Sequence, residues 1–211
     1  MWPGDPTRGE IEIVEERVVW ESAVARLYDD RVRLPARDER GAHVERTRFR
    51  LGHGRGIADG VVIVPIAPDN RVLLVRQFRH PVRMWLRELP RGAGNEGEAP
   101  EDGARRELRE ELGCDARELF PLGRVVTDSG QLTGIPHLFA ARVVEDAAPE
   151  REEGEAIDRV YRMRFTELAR ACARGEIVDA FTLAAVLRVT SHFDGDRFAW
   201  RADATPRDPL R

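Results

Sequence analysis

Three glutamates, Glu107, Glu110 and Glu111, are the feature that most restricts how this chain can fold. The segment around them, residues 101–112, contains good helix formers, has acidic residues near its start and is followed by Gly113, so it is predicted to be a helix. On a helix, positions i, i+3 and i+4 lie on one face, which brings the three carboxylates together. Because like charges repel, this helix needs compensating positive charge.

The compensating charge can come from arginine side chains or from a bound cation. Arg105, Arg106 and Arg109 lie on the same predicted helix and can neutralise the glutamates on a solvated acidic face. The alternative is a divalent cation such as Mg²⁺, which prefers oxygen ligands and completes its coordination with water and substrate phosphate oxygens. Such a cation polarises a phosphoryl group and lowers the pKa of a water molecule.

The rest of the chain indicates an α+β fold. Residues 11–50 contain short alternating segments interrupted by turns, which predicts a small antiparallel β element. Residues 61–67 are apolar throughout and predict a buried strand, with residues 71–77 as its hairpin partner. Further strands are predicted at 122–126 and 137–144, helices at 166–174 and 179–189, and frayed tails at 1–10 and 202–211. Because strands and helices interleave, the helices are predicted to pack on a mixed sheet.

Charge and composition argue against several classes of protein. The formal net charge is −4 and no basic stripe is visible, which argues against a nucleic-acid-binding protein. No apolar stretch is long enough to span a bilayer and no signal peptide is visible, so we expect no association with membranes. Cys114 and Cys172 are the only cysteines, and two free thiols suit a reducing compartment, which predicts a cytoplasmic protein.

The glutamate helix is part of a longer pattern. Five residues separate Gly92 from Glu98, and seven more lead to Arg-Glu-Leu-Arg-Glu-Glu-Leu-Gly at 106–113. This resembles the Nudix box, G-x5-E-x7-R-E-U-x-E-E-x-G-U, where U is a bulky aliphatic residue. Only Cys114, at the last position, departs from the box, and cysteine is small and apolar. The resemblance favours the metal interpretation and implies a Nudix-type α/β/α sandwich with a mixed β-sheet and an N-terminal antiparallel β element.

The resemblance also implies which residues bind the metal ion. Glu107 and Glu111 match the principal metal ligands and are the implied catalytic glutamates, while Glu110 assists them. The carbonyl of Arg91 matches a backbone metal ligand in many family members. The implied cofactor is Mg²⁺, with Mn²⁺ as a substitute.

Four other box residues are implied to be structural. Gly92 is expected to let the chain turn out of the preceding strand, and Gly113 to end the helix. Glu98 is expected to pair with Arg106 and thereby to orient the helix.

Segments outside the box resemble ADP-ribose pyrophosphatase-like Nudix proteins. These segments are 76–82, 85–92 and 175–182, and the resemblance extends over about residues 20–190. In that subfamily an N-terminal β element exchanges between subunits, so a homodimer is implied. The expected organisation is an N-terminal β element and tail at 1–55, a hydrolase domain at 56–200 and a flexible tail at 201–211.

Residues outside the box are candidates for substrate binding and catalysis. Arg79 matches an arginine that contacts substrate phosphate or ribose, with a surface ion pair as the alternative. Glu88 can contribute to the site or form a structural salt bridge, and Asp128 and Ser129 can contact substrate or simply stabilise a turn. Related enzymes often use a loop glutamate after the box as the base, and among the candidates at 150–155 we favour Glu153, with Glu155 second.

The implied activity is Mg²⁺-dependent hydrolysis of a small nucleoside diphosphate derivative, namely ADP-ribose to AMP and ribose 5-phosphate. Members that prefer ADP-ribose often carry a proline in the loop after the box. Residues 127–134 contain no proline. Another nucleotide sugar is therefore an alternative substrate. A non-catalytic nucleotide-sensing domain is a further alternative. Such domains usually lose box glutamates, whereas this chain retains all of them.

Overall fold

The computed structural model describes residues 4–35, 43–145, 148–150 and 156–204. The chain forms two compact units, the first from residues 1–57 with 128–134 and the second from residues 58–127 with 135–211. In the described part of the chain, no helix is long and apolar enough to cross a membrane.

The first unit is an antiparallel sheet built from alternating segments. Its strands are β1 (Glu12–Glu15), β2 (Val18–Glu21), β3 (Ala25–Leu34) and β4 (Val44–His53). Each of the other three strands pairs antiparallel with β3. Tyr28, Asp30 and Val32 are buried on one face of β3, as the two-residue period of a strand requires. The predicted N-terminal antiparallel element is therefore present.

Residues 128–134 belong to this first unit because they bond to β4. The backbone N–H of Leu51 donates to the carbonyl of Gln131 at 2.8 Å, and the N–H of Thr133 donates to the carbonyl of Leu51 at 3.0 Å.

The second unit contains a mixed sheet and three helices. In chain order the elements are β5 (Ile57–Ile66), β6 (Val72–Arg79), β7 (Met84–Glu88), β8 (Arg91–Asn95), α1 (Pro100–Leu112), β9 (Cys114–Arg124), β10 (His137–Glu145), β11 (Ile157–Met163), α2 (Phe165–Ala173), α3 (Ala180–Val189) and a small hairpin of β12 (Phe193–Asp194) and β13 (Arg197–Phe198). The main sheet has the order β11-β6-β5-β10-β9, with β7 paired to β6 and β8 to β5. The β5–β10 pair is parallel, whereas β9–β10 and β6–β11 are antiparallel, so the sheet is mixed as predicted.

Residues 61–66 of β5 are apolar and buried because helices cover both faces of this part of the strand. Val61 and Ile63 pack in one buried cluster with Leu108 of α1. Val62 and Val64 lie in a second cluster, on the other face, with residues of α2 and α3. The sheet therefore lies between α1 on one side and α2 and α3 on the other, which is the predicted α/β/α sandwich.

The predicted helices and most strands of this unit are confirmed to within a few residues, but the strand predicted at 122–126 is wrong in its bounds. Strand β9 begins at Cys114 and ends at Arg124. Strand β11 was not predicted. Both are edge strands that pair with one neighbour, so polar residues occupy their exposed positions and obscure the alternation.

The tails contain short turns where the structure describes them. Residues 6–8 and 202–204 form 3₁₀ turns, and Asp5 caps the first of these by accepting from the backbone N–H of Thr7. Residues 1–3 and 205–211, which include most of the predicted flexible tail, lie outside the described residues.

Candidate active site

The acidic face of α1 is buried in the second unit rather than solvated. The Glu107 and Glu111 residues are 4% and 1% exposed, and Glu110 lies at the edge of the face. The helix ends at Gly113, whose φ of 64° is in the left-handed region that glycine adopts readily. Burial of two ionised carboxylates is unfavourable unless charge compensates them, so this face is unlike an ordinary solvated acidic helix.

Arg106 supplies part of that compensation. Its Nη1 atom donates to Glu107 at 2.7 Å and to Glu110 at 2.8 Å. Its Nε atom donates to Glu98 at 3.0 Å, so the expected pair between Glu98 and Arg106 is present. The hydrogen bond from Arg106 lowers the pKa of the Glu98 carboxyl, and the bond to Glu98 is the main reason that the pKa of Arg106 is raised.

The other two arginines of the helix bond elsewhere. Arg105 donates to the carbonyl of Ala116 at 2.5 Å, and Arg109 pairs with Asp115 at 2.6 Å. Of the three arginines that the alternative interpretation used to neutralise a solvated face, Arg106 contacts Glu107 and Glu110 among the described residues.

Gly92 makes room for the Glu107 carboxylate. A Cβ atom at Gly92 would lie 2.0 Å from Oε1 of Glu107, which is far inside contact distance. The turn expected at Gly92 is not there, because Gly92 lies within β8 and the break between β7 and β8 falls at Leu89 and Pro90. The position therefore needs glycine for a close side-chain approach and not for a turn.

The chemistry of this face fits a hard divalent cation. Carboxylate oxygens are the ligands that Mg²⁺ and Mn²⁺ prefer. Two of the three glutamates are buried, and the Glu107 carboxylate lies beside the backbone of β8. Among the described residues, no three carboxylate, histidine or cysteine side chains are grouped closely enough to hold a metal ion as they stand. Arg106 occupies oxygens of Glu107 and Glu110 that a cation would use.

A second group of charged residues surrounds Glu88, which is fully buried at the end of β7. Its Oε1 atom accepts from Nε of Arg79 at 2.7 Å. Its Oε2 atom accepts from Nη2 of Arg91 at 3.0 Å. Glu88 therefore forms the structural salt bridge that was one of its two interpretations. Its carboxylate binds two arginines at once.

The start of α3 completes this group, and sequence reasoning missed it. Asp179 caps α3 by accepting from the backbone N–H of Thr182 at 2.8 Å, and its other oxygen lies 3.4 Å from Nη2 of Arg91. The hydroxyl of Thr182 accepts from the backbone N–H of Leu89 at 3.0 Å, so the helix start is fixed to the break between β7 and β8. The guanidinium of Arg91 also lies 4.5 Å from the ring centre of Phe181. The cap at 179–182 was a visible signal, but nothing local linked it to Arg91.

A cavity of about 340 Å³ lies beside the Glu88 group. Arg79, Arg91 and Asp179 contribute its charged lining. Aliphatic residues from the β6–β7 turn and from the start of α3 form the remaining wall, including Val82, Met84 and Val178. The volume is within the range of small-molecule sites.

Comparison with known proteins identifies the family. Residues 56–196 match the model of the NUDIX domain. The chain belongs to the Nudix family and is a Nudix pyrophosphohydrolase. It is 31% identical over 182 residues to an ADP-ribose pyrophosphatase of Mycobacterium tuberculosis, covering 85% of this chain and 83% of that protein. It is 30% identical over 128 residues to an ADP-ribose pyrophosphatase of Bacillus subtilis, covering 60% of this chain and 69% of that protein.

A solved structure supports the Nudix fold independently. The crystal structure of an ADP compounds hydrolase superposes with a TM-score of 0.69 at 19% identity, covering 86% of this chain and 92% of that one. Nudix hydrolases generally use divalent metal ions, which agrees with the donor set on α1.

The remaining predicted site residues of this Nudix protein fall elsewhere. Asp128 and Ser129 are exposed in the first unit, where an Asp128 carboxylate oxygen accepts from the backbone N–H of Gly130 at 2.9 Å, as in an ordinary turn. Glu153 and Glu155 lie outside the described residues. The roles predicted for these four residues stay predictions.

Proposed function

We propose that this Nudix pyrophosphohydrolase cleaves the diphosphate of ADP-ribose to AMP and ribose 5-phosphate, using Mg²⁺ or, as a substitute, Mn²⁺. The observation that carries the proposal is the pair of buried carboxylates of α1, Glu107 and Glu111, with Glu107 packed against Gly92. Two relatives that are named ADP-ribose pyrophosphatases support the choice of substrate.

The proposed metal ligands are Glu107, Glu110, Glu111 and the carbonyl of Arg91. When bound there, the cation would polarise a phosphoryl group and neutralise the charge that develops on it. Arg79 has one nitrogen held by Glu88, and the other nitrogens of its guanidinium are suited to a phosphate oxygen of the substrate.

The proposed reaction is a displacement at phosphorus. The oxygen of a water molecule forms a bond to one phosphorus of the diphosphate, and the bond from that phosphorus to the bridging oxygen breaks. A loop glutamate, Glu153 in our proposal and Glu155 as second choice, accepts the proton of the water. Glu153→Gln is then expected to lower kcat about 10²-fold or more, and Glu155→Gln serves as the matched comparison.

Product chromatography over a panel of nucleoside diphosphate derivatives, with Mg²⁺ and with chelator, tests the function. We expect chelator-sensitive release of AMP from ADP-ribose. Preferential turnover of another nucleotide sugar would keep the mechanism and replace the substrate. Nucleotide binding without turnover of any compound would contradict the proposed hydrolase activity and favour a sensor.

We also propose that the protein is a homodimer and that residues 1–55 form the exchanged element. The first unit exposes large apolar side chains, including Val19, Trp20 and Phe49, which are more than half exposed at 51%, 54% and 54%. Such a surface is typical of an interaction site. Light scattering after size-exclusion chromatography should give twice the chain mass, and a monomer at micromolar concentration would contradict the proposal.

A further inference from the structure

We propose that His192 is a pH-sensitive latch, which holds the last part of the second unit closed at neutral pH and releases it in mild acid. The released part is residues 193–201, called here the C-terminal segment, which contains the β12–β13 hairpin and Trp200. The latch does not depend on the hydrolytic activity proposed above.

His192 holds the C-terminal segment by two hydrogen bonds to its backbone. The residue ends the 3₁₀ turn Thr190–His192, which follows α3. Its Nδ1 atom accepts from the backbone N–H of Arg201 at 3.0 Å. Its carbonyl accepts from the backbone N–H of Ala199 at 2.8 Å. The side chain and the backbone of one residue therefore fix the path of the chain after β13.

Aromatic side chains enclose the imidazole. His192 is 0% exposed, and its ring lies 4.0 Å from the ring of Trp200 at an interplanar angle of 10°. Trp200 stacks in turn on Phe120 of β9, with 4.7 Å between the ring centres. The ring of Phe198 lies 6.5 Å from that of His192. Apolar surroundings of this kind favour the neutral form of the imidazole.

The hydrogen bonds determine where the proton of the neutral ring lies. Because Nδ1 accepts from Arg201, the proton is assigned to Nε2. The Nε2 atom is buried and has no hydrogen-bond partner within the described residues. A second proton would have to bind Nδ1, where it would point at the N–H of Arg201. Both ring nitrogens would then be buried donors without an acceptor, on a ring that carries a charge, which is strongly unfavourable.

The charges around the ring have a net effect in the same direction. Burial is the main cause that lowers the pKa of the His192 imidazole, the guanidinium of Arg201 lowers it further, and Asp203 opposes both. The charged side chains of the adjoining elements are held by other groups or exposed: Arg188 and Arg142 donate to the carbonyls of Leu122 and Phe198, Glu118 pairs with Arg142, Asp196 bonds to Thr166, and Asp194 and Arg197 are exposed.

The sign of the pH effect follows from the lowered pKa. The neutral ring stabilises the closed segment fully above the ordinary histidine pKa of about 6.5. This contribution is lost as the pH falls towards the lower pKa of the closed state, because the imidazolium is solvated only when the segment opens. The latch is therefore closed at neutral pH and opens increasingly often as the pH falls below about 6.5.

Opening would uncover part of the core between the sheet and the helices. Phe193 stacks on Phe165 of α2 with 3.9 Å between the ring centres, and Phe198 is buried in the same cluster. Residues of α3 and of β5 also belong to this cluster. Protonation of one side chain would thus loosen the contacts on this face of the sheet.

Hydrogen exchange of single backbone amides tests the latch. The amides of Ala199 and Arg201 report it directly, because both bond to His192, and the amides of Val62 and Val64 in β5 report the whole fold. Exchange rates at about pH 5 and about pH 7.5 are each divided by the intrinsic rate at that pH. We expect the first pair to open about fivefold or more often at the lower pH, and the β5 pair to change much less.

Two variants separate titration of His192 from other effects of acid. His192→Phe keeps an aromatic ring in the stack but cannot titrate, so the Ala199 amide should open equally often at both pH values. The control is His43→Phe, which replaces an exposed histidine and should keep the wild-type response. Arg201→Gln removes an exposed like charge and leaves the buried contacts in place, so NMR titration should show a higher pKa of His192 and the pH response should be smaller.

Three results would overturn the latch. The first is a pH response of the Ala199 and Arg201 amides that persists in His192→Phe. The second is a pKa of His192 in the wild-type chain at or above about 6.5 by NMR titration. The third is an equal change at the β5 amides, which would mean that acid opens the whole fold and not the C-terminal segment.

Discussion

The second unit contains two groups of largely buried carboxylates that differ in their charge balance. At α1, Arg106 pairs with Glu107 and Glu110 of the helix and with Glu98 just before it, and Glu111 is buried on the same helix. Around the cavity, Glu88 and Asp179 face two cations, Arg79 and Arg91. The first group has excess negative charge and is suited to a metal ion. The second is balanced, so it is stable by itself and has spare donors for an anion.

The largest expected effect of a single substitution is at the acidic group. Glu111→Gln removes a buried charge from the box face and should lower kcat about 10³-fold, since metal assistance is worth several kcal/mol. The fold should survive, because the change relieves repulsion between carboxylates. Steady-state kinetics and thermal unfolding measure both effects. Glu101→Gln, at an exposed position in the first turn of the same helix, is the control, and equal kcat values for the two variants would refute the metal role.

A substitution in the Glu88 group should change the stability of the fold. Glu88→Gln leaves two guanidiniums without their shared counter-charge and should lower the free energy of unfolding by about 3 kcal/mol. Denaturant unfolding measures this change. Glu176→Gln removes a half-exposed partner of Arg87 and should alter the free energy of unfolding by less than about 1 kcal/mol. If both variants were equally stable, the Glu88 group would not be a structural centre.

Gly92 offers a test of how closely the acidic group is held. In Gly92→Ala the new methyl group would displace the Glu107 carboxylate, and we expect turnover to fall about tenfold or more because small displacements of catalytic groups slow reactions. Ala93→Ser, at the exposed neighbouring position, should leave kcat unchanged. A Gly92→Ala enzyme with wild-type kcat would show that the close approach is dispensable.

The smallest expected effect is on how the stability of the fold depends on pH. Arg106 lowers the pKa of Glu98, so the pair stabilises the folded chain fully above the unfolded pKa of about 4.3, and this contribution is lost as the pH falls through the lower folded pKa. Glu98→Gln should therefore be less stable than the wild type at pH 6, and the difference should shrink towards pH 3. Unfolding curves for both chains across that range measure it. If the difference in unfolding free energy between the two chains stayed constant with pH, the ion pair with Arg106 would not be the cause of the lowered pKa of Glu98.

The sequence predicted the acidic group, but of the balanced one it predicted only that Glu88 and Arg79 could form ion pairs, without their partners. The α1 glutamates and Gly92 lie within one short segment, where helical geometry alone fixes which side chains meet. The Glu88 group joins residues from β6, β7, β8 and α3, and only the folded sheet brings Arg91 and Asp179 together. The predicted bounds of β9 were wrong because the strand lies at the edge of the sheet. Charged residues such as Asp115 and Glu118 interrupt its apolar alternation, so the sequence shows no clear strand pattern there.

Strand β8 also has a consequence for how this protein can evolve. A side chain at Gly92 would displace Glu107, because the Glu107 carboxylate already fills that space. The side chain of the neighbouring residue, Arg91, lines the cavity beside Glu88. Substitutions at 91 can therefore alter what the pocket accepts while inheriting an unchanged catalytic face, which makes this position a natural starting point for directed evolution of new selectivity.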